Sequence, residues 1–262
     1  MILWLDGAHD APTNMARDAE LLDRAASRGL RETVLRLFTF SPPGITLGRA
    51  QDPGRELDLA ALAREGIRWA VRPTGGRAIW HEEEWTFSLV TRLEPGGWAG
   101  SSDAAYERTG RLLAQALQSL GVPATLAPGS ARGPGAPREK TGAAPPCFAS
   151  TARHELVLEG RKLAGIAQRF SHGALLQQGS LLLGDAHERL VEFVPATDRE
   201  RLRRELREAA AVAGRWLGAD RSLERLAAAL VDTLGDEVRV TRWNREEGAR
   251  ALALEPHGIA SP

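Results

Sequence analysis

The stretch Ile67-Arg68-Trp69-Ala70-Val71-Arg72-Pro73-Thr74-Gly75-Gly76-Arg77-Ala78-Ile79-Trp80-His81 runs from an apolar segment into a glycine-centred turn, flanked by cations and closed by a histidine. Ile67 to Val71 predicts a strand that feeds directly into the turn. Adjacent glycines after a strand permit positive φ and let backbone N–H groups approach a ligand, while Arg72 and Arg77 supply charge for a phosphate or carboxylate. An ordinary tight turn fits the same residues, and the pattern is not a Walker sequence. The run His81-Glu82-Glu83-Glu84 has no second histidine four residues on, so it is not a zinc motif and reads as a solvated acidic turn.

Outward from this stretch, helix and strand signals alternate without a fixed repeat. Asn14 is a candidate cap for a helix in which Met15, Ala19, Leu22 and Ala26 share one face, with Gly29 as the stop. Val34 to Phe40 predicts a strand that Pro42-Pro43-Gly44 breaks, and Asp58 opens a short helix ending at Gly66. Downstream, Thr86 to Leu93 predicts a strand, and Tyr106, Leu113, Leu117 and Leu120 mark a longer amphipathic helix that stops at Gly121-Val122-Pro123. From Ala127 to Pro146 the composition turns to Gly, Pro, Ala and isolated charges, which predicts a long loop or lid. Glu155 to Leu158 and Lys162 to Gln168 read as a hairpin turning at Glu159-Gly160-Arg161, with Ala174 to Leu183 as the next strand. Thr197 with Glu200 forms a candidate capping box before a helix lined by Leu202, Leu206, Ala213 and Leu217. Leu223, Leu226, Leu230 and Leu234 line another helix ending at Gly235, followed by a short strand from Val238 to Val240. The expected fold class is α+β, a mixed β-sheet core flanked by helices, with a catalytic domain over 1–190 and a small helical C-terminal extension over 191–262.

The chain has 262 residues, 43% of them hydrophobic, enough for one substantial core. Its 34 basic residues balance 34 acidic ones, so no global field favours nucleic acid or an anionic membrane, and neither is expected as a partner. No apolar run approaches the roughly 20 residues needed to span a bilayer, and the N-terminus lacks a basic region before its short apolar run. A single cysteine cannot form an internal disulfide, which fits a reducing compartment. A cytoplasmic location is expected.

That cysteine, Cys147, stands at the end of the Gly/Pro-rich segment, and Lys162 is one of only two lysines. A lone cysteine is commonly a small buried hydrophobe. Its place after a loop instead favours accessibility, and a nearby ammonium such as that of Lys162 would favour thiolate over thiol. Lys162 alone fits a solvated strand lysine equally well. The small residues around it, Gly160, Ala164, Gly165 and Ala167, leave room beside the strand for a ligand chain.

The segment Arg72 to His81, the stretch Pro146-Cys147-Phe148-Ala149-Ser150, and Gly160-Arg161-Lys162-Leu163-Ala164-Gly165-Ile166-Ala167-Gln168 with Leu176-Gln177-Gln178-Gly179-Ser180 resemble the biotin and lipoate protein ligase catalytic family. Within it they most resemble the octanoyltransferases that carry octanoyl from acyl carrier protein to the H protein of glycine cleavage. The resemblance covers roughly Trp4 to Leu183. It implies that Cys147 is the nucleophile that becomes octanoylated and that Lys162 positions the acyl carbonyl and supports the thiolate. Arg72, Thr74, Gly75, Gly76, Arg77, His81, Gly165, Ala167, Gln168 and Gly179 would bind substrate. The implied partners are octanoyl-acyl carrier protein and the H protein or another lipoyl domain, with no metal and no cofactor. Trp80 and Glu82-Glu83-Glu84 stand where an aliphatic residue and a single acidic residue are usual, and Ile166 where serine is frequent. The alternative within the family is an ATP-dependent lipoate ligase, using ATP and magnesium to form an acyl adenylate. Ligases of that kind typically carry a third glycine where this chain has Arg77. A third reading is a non-catalytic protein that binds lipoyl domains.

Overall fold

Residues 1–94, 97–127, 155–196, 198–235 and 238–242 are described by the computed structural model. Five of the strands in its main sheet are β1 (Ile2–His9), β2 (Val34–Phe40), β6 (Glu84–Arg92), β10 (Ala164–Ser171) and β11 (Ala174–Leu182). With β12 (Arg239–Arg242) they stand in the order β10-β11-β6-β2-β1-β12. β1 runs parallel to β2 and β12, and the other neighbours are antiparallel. A second sheet has the order β4-β3-β5, from β3 (Gly44–Leu47), β4 (Arg68–Val71) and β5 (Ile79–His81). A third comprises β7 (Thr125–Leu126), β8 (Leu156–Leu158) and β9 (Arg161–Lys162). This is the mixed sheet flanked by helices that the sequence predicts.

Side chains alternate across the main sheet with the period of the pleat. On one face Leu3, Leu5, Leu35, Leu37, Phe87 and Leu89 pack with Leu113 and Leu117 of α4 (Ser102–Ser119) and with Leu226 and Leu230 of α7 (Leu223–Leu234). On the other, Ile2, Trp4, Val34, Val90 and Leu176 meet Leu21 and Leu22 of α1 (Ala11–Ala26). The expected boundary after residue 190 is not a break in this core. Leu217, Leu226 and Leu230 share a cluster with Leu3 and Leu35, and β12 extends the sheet in register with β1. Burial of the apolar face of α7 against α4 and β1 is what ties the C-terminal segment into the same layer structure.

Local cap chemistry sets most helix ends. α3 (Leu59–Glu65) is capped by Asp58, which accepts from the N–H of Ala61, and stops at Gly66 in the left-handed region at φ 65°. α1 starts a turn earlier than Asn14 suggests, because Asp10 accepts from the Thr13 N–H and Pro12 lies in the first turn. The stretch from Leu202 to Leu217 is not one helix. α5 (Arg199–Ala209), capped by Asp198, gives way to an extended segment in which Ala211 and Ala213 donate to the carbonyls of Lys162 and Leu182, before α6 (Gly214–Leu217). Thr197 lies outside the described residues. Hydrogen bonding to the strand backbone here wins over continued helix.

Candidate functional site

A cavity of about 380 Å³, open mouth included, lies between the second sheet and the α1 face of the main sheet. Met15, Phe38, Phe40 and Ile79 give it apolar walls. Arg72, Thr46, His81, Gln178 and Ser180 supply polar groups, and Gly165, Ala167 and Gly179 form its strand side. An apolar slot with a few fixed polar groups suits an alkyl chain ending in a carbonyl.

The glycine turn closes one end. Arg72 is buried, and its guanidinium points into the turn. Nε and Nη2 donate to the Gly75 carbonyl at 3.0 and 2.7 Å, and Nη2 also donates to the Arg77 carbonyl at 2.9 Å. These charge-assisted bonds set the backbone of the turn, so the cation shapes the loop from within. Gly76 has φ 96°, and a Cβ there would lie 2.5 Å from the Arg72 guanidinium. A Cβ on Gly48 would lie 2.0 Å from the Gly76 carbonyl oxygen, so the turn packs against β3 at a distance only glycine allows. Gly75 is half-buried and is not in the lining of this cavity. The Arg77 side chain is half-buried.

Thr74 is fully buried and is not in the lining of the cavity. Its hydroxyl donates to Gln178 Oε1 at 2.6 Å, and Gln178 Nε2 donates to Asp18 Oδ2 at 2.6 Å. Asp18 Oδ1 accepts from Ser88 and from Arg36, each at 2.7 Å. Arg36 is itself fully buried, with its Nε 2.7 Å from Asp6 Oδ2 and its Nη2 2.7 Å from Asn14 Oδ1. This is where Asn14 works, inside the helix rather than at its cap.

The acidic run after His81 is not a solvated turn throughout. Glu82 and Glu83 form the turn between β5 and β6, with Glu83 at φ 50°, and Glu84 is returned to the interior beside His81. Glu84 Oε1 lies 2.6 Å from His81 Nδ1 and accepts from Thr86 at 2.5 Å and Ser180 at 3.2 Å. On the other side of the ring, His81 Nε2 lies 2.7 Å from Thr46 Oγ1, which also receives Arg72 Nη1 at 3.3 Å. A guanidinium only donates, so the Thr46 hydroxyl hydrogen is available to His81 Nε2, which leaves Nδ1 to donate to Glu84. The ring stacks on Phe40 with centroids 3.9 Å apart and so completes the cavity wall. Glu84→Ala leaves the His81, Thr86 and Ser180 donors unanswered in the interior. It is expected to cost about 1–3 kcal/mol, read from the urea midpoint.

Gly165 and Ala167 face the cavity. Gln168, the next residue, points to the opposite face of the strand, and the pleat makes this unavoidable. Its Nε2 donates to the Ser102 carbonyl at 3.0 Å and its Oε1 accepts from Gln177 at 2.8 Å, so it braces α4 and is not a cavity residue. Gly179 lines the cavity by its backbone, and a Cβ there would lie 2.3 Å from Phe87. Lys162 is buried, with Nζ 2.7 Å from Glu155 Oε1. It stands three residues before Gly165 and is not in the lining of this cavity. Cys147 lies outside the described residues. Sequence reasoning missed Asp18, Arg36, Glu84, Gln178 and Ser180. The signal for the last two was present: Gln178 and Ser180 are polar residues two apart in β11 and so share one face.

The architecture agrees with the comparisons. The Lipoyl protein ligase A/B catalytic domain matches residues 10–235. The chain belongs to this family. An "Octanoyltransferase LipM" of Kyrpidia tusciae is 36% identical over 255 residues, covering 95% of this chain and 92% of the relative. The protein of that name from Geobacillus kaustophilus is 32% identical, covering 79% and 75%. Among solved structures, a lipoate-protein ligase A bound with ATP superposes with a TM-score of 0.65 at 20% identity, over 97% of this chain and 92% of that one. A bipartite lipoate protein ligase from Thermoplasma acidophilum gives 0.66 at 21%, over 97% and 90%. These structural likenesses establish the lipoyl ligase fold. Among the described residues, no helix is long and apolar enough to cross a membrane.

Proposed function

We propose that this protein is an octanoyltransferase of protein lipoylation, taking octanoyl from octanoyl-acyl carrier protein through a Cys147 thioester to a lysine of the glycine cleavage H protein or another lipoyl domain. The observation that carries the reading is the likeness to a LipM octanoyltransferase along nearly the whole length of both chains. The apolar cavity between the glycine turn and Gly165 supports it, because an eight-carbon chain needs such walls and no charge at its far end.

The chemistry proceeds in two displacements. The Cys147 thiolate attacks the carbonyl carbon of the carrier thioester, and a tetrahedral oxyanion forms and collapses with departure of the carrier thiolate. Backbone N–H donors hold the oxyanion, and the Lys162 ammonium favours the thiolate and orients the acyl carbonyl. The acceptor ε-amine, as the free base, then attacks the enzyme thioester. The carbon–sulfur bond breaks, an amide forms, and the proton released by nitrogen leaves the Cys147 sulfur as thiol or passes to solvent. A thioester is converted to an amide, so no nucleotide is required. This reading calls for no cofactor and for a cytoplasmic setting, where the Cys147 thiol stays reduced.

The test is purified protein with octanoyl-acyl carrier protein and H protein, with and without ATP and magnesium, followed by intact mass. Octanoyl-H protein at equal rate in both arms is expected. Acceptor modification that requires ATP and free octanoate or lipoate would make the protein a ligase. Acceptor binding without modification in any arm would make it a binding protein.

A further inference from the structure

The glycine turn is tied to its own sheet by Arg72 and by the Arg49 N–H, which donates to the Thr74 carbonyl at 2.9 Å. Bonds between the described residues also tie it to the main sheet, and two of them bear on the turn's position. One is long, from Arg169 Nη1 to the Pro73 carbonyl at 3.4 Å, at a half-buried site. The other is the fully buried bond from Thr74 to Gln178 at 2.6 Å. Gln178 lines the cavity and Thr74 lies behind the lining, so this bond holds the turn against the cavity wall.

The polarity of that bond is dictated from behind. Asp18 offers only acceptors, so the Gln178 amide must turn its nitrogen to Asp18 and its oxygen to Thr74. Asp18 cannot swing, because Arg36 and Ser88 hold its other oxygen and Arg36 is clamped in turn by Asp6 and Asn14. A rigid file of bonds therefore runs from the interior of the sheet to the hydroxyl of Thr74.

We infer that Gln178 is a positioning residue which, through Thr74, fixes the glycine turn at the width that admits the acyl chain, so that it governs affinity for the acyl donor. This rests on the octanoyl-transfer reading for the identity of the ligand. Only a group that donates to Asp18 while accepting from Thr74 can serve. A protonated carboxyl does both and a carboxylate does not.

Gln178→Glu tests this through pH. The charged groups facing position 178 are Asp18 on α1, Arg36 on β2 with Asp6 behind it on β1, Arg169 on β10, Arg72 across the cavity, and the His81–Glu84 pair one residue pair along β11. Burial and the adjacent Asp18 raise the pKa of the introduced carboxyl, so its competent protonated form is gained as pH falls. At about pH 8 the variant is expected to show a KM for octanoyl donor raised about tenfold or more with a smaller change in kcat, recovering towards wild type near pH 6. Thr74→Val should raise KM at every pH, and Thr74→Ser should restore it.

Hydrogen exchange supplies a readout independent of turnover: the Arg49 amide, which donates to the Thr74 carbonyl, should lose protection in Thr74→Val and keep it in Thr74→Ser. Unchanged KM and unchanged exchange in Thr74→Val, or a lowered urea midpoint with neither, would overturn the assignment. So would a KM in Gln178→Glu that is independent of pH. Wild-type protein that transfers no octanoyl would sink the transferase reading, while the exchange result would still decide whether Gln178 sets the turn.

Discussion

Cys147→Ala incubated with octanoyl-acyl carrier protein should keep its unmodified mass, whereas the wild-type protein gains one octanoyl group when no acceptor is present. The chain has no other thiol, so no alternative cysteine could carry the acyl group in the variant. Transfer to the acceptor should fall by about a thousandfold or more, the scale seen when a nucleophile is removed and substrate binding survives. Wild-type kinetics should show the ping-pong pattern of a covalent intermediate, with carrier released before acceptor is needed. Full octanoylation of acceptor by Cys147→Ala would show that the lysine attacks the carrier thioester directly, and the two-displacement mechanism would then be abandoned.

Legibility in the sequence followed the range of the interactions involved. α3 could be read from Asp58 and Gly66 because both caps act within one turn, and β2 from its own apolar residues. Asn14 and Asp10 are equally good cap residues in isolation. Arg36, which claims the Asn14 side chain from the neighbouring strand, decides between them, and it is not visible locally. The C-terminal segment looked separable because its helices are amphipathic on their own, but the face that α7 buries belongs to β1 and α4. Parallel pairing of β12 with β1 joins the two ends of the chain and leaves no local trace.

At the site, motif reading found the turn, the histidine and the small-residue strand, and misjudged roles where side-chain direction mattered. Arg72 lines the cavity and also organises the turn, because carbonyls at Gly75 and Arg77 lie within reach of its guanidinium. Gln168 shares a motif with Ala167 but not a face of the strand. Glu84 was lost in a charge run. The tight turn at Glu82-Glu83, with Glu83 at φ 50°, brings it back beside His81 three residues earlier. The buried polar network around Arg36 is the part least accessible to sequence, since each of its members is an ordinary residue that acquires meaning only from its partners.

Lys162→Met is expected to damage stability and chemistry together, and a second substitution can separate them. Lys162 and Glu155 are both buried and lie 2.7 Å apart. Loss of the ammonium leaves the Glu155 carboxylate without its charge partner in the interior, at a cost of about 3–5 kcal/mol. Replacing both by apolar residues, as in Lys162→Met with Glu155→Leu, removes the stranded charge and should recover most of the urea midpoint, because a buried ion pair contributes little net stability over a packed apolar pair. Acylation of Cys147 should stay slow in both variants if Lys162 orients the acyl carbonyl and favours the thiolate. Raising the pH should recover only the share due to thiolate fraction. Wild-type acylation rates in the double variant at neutral pH would show instead that Lys162 serves the fold alone, as the partner of Glu155.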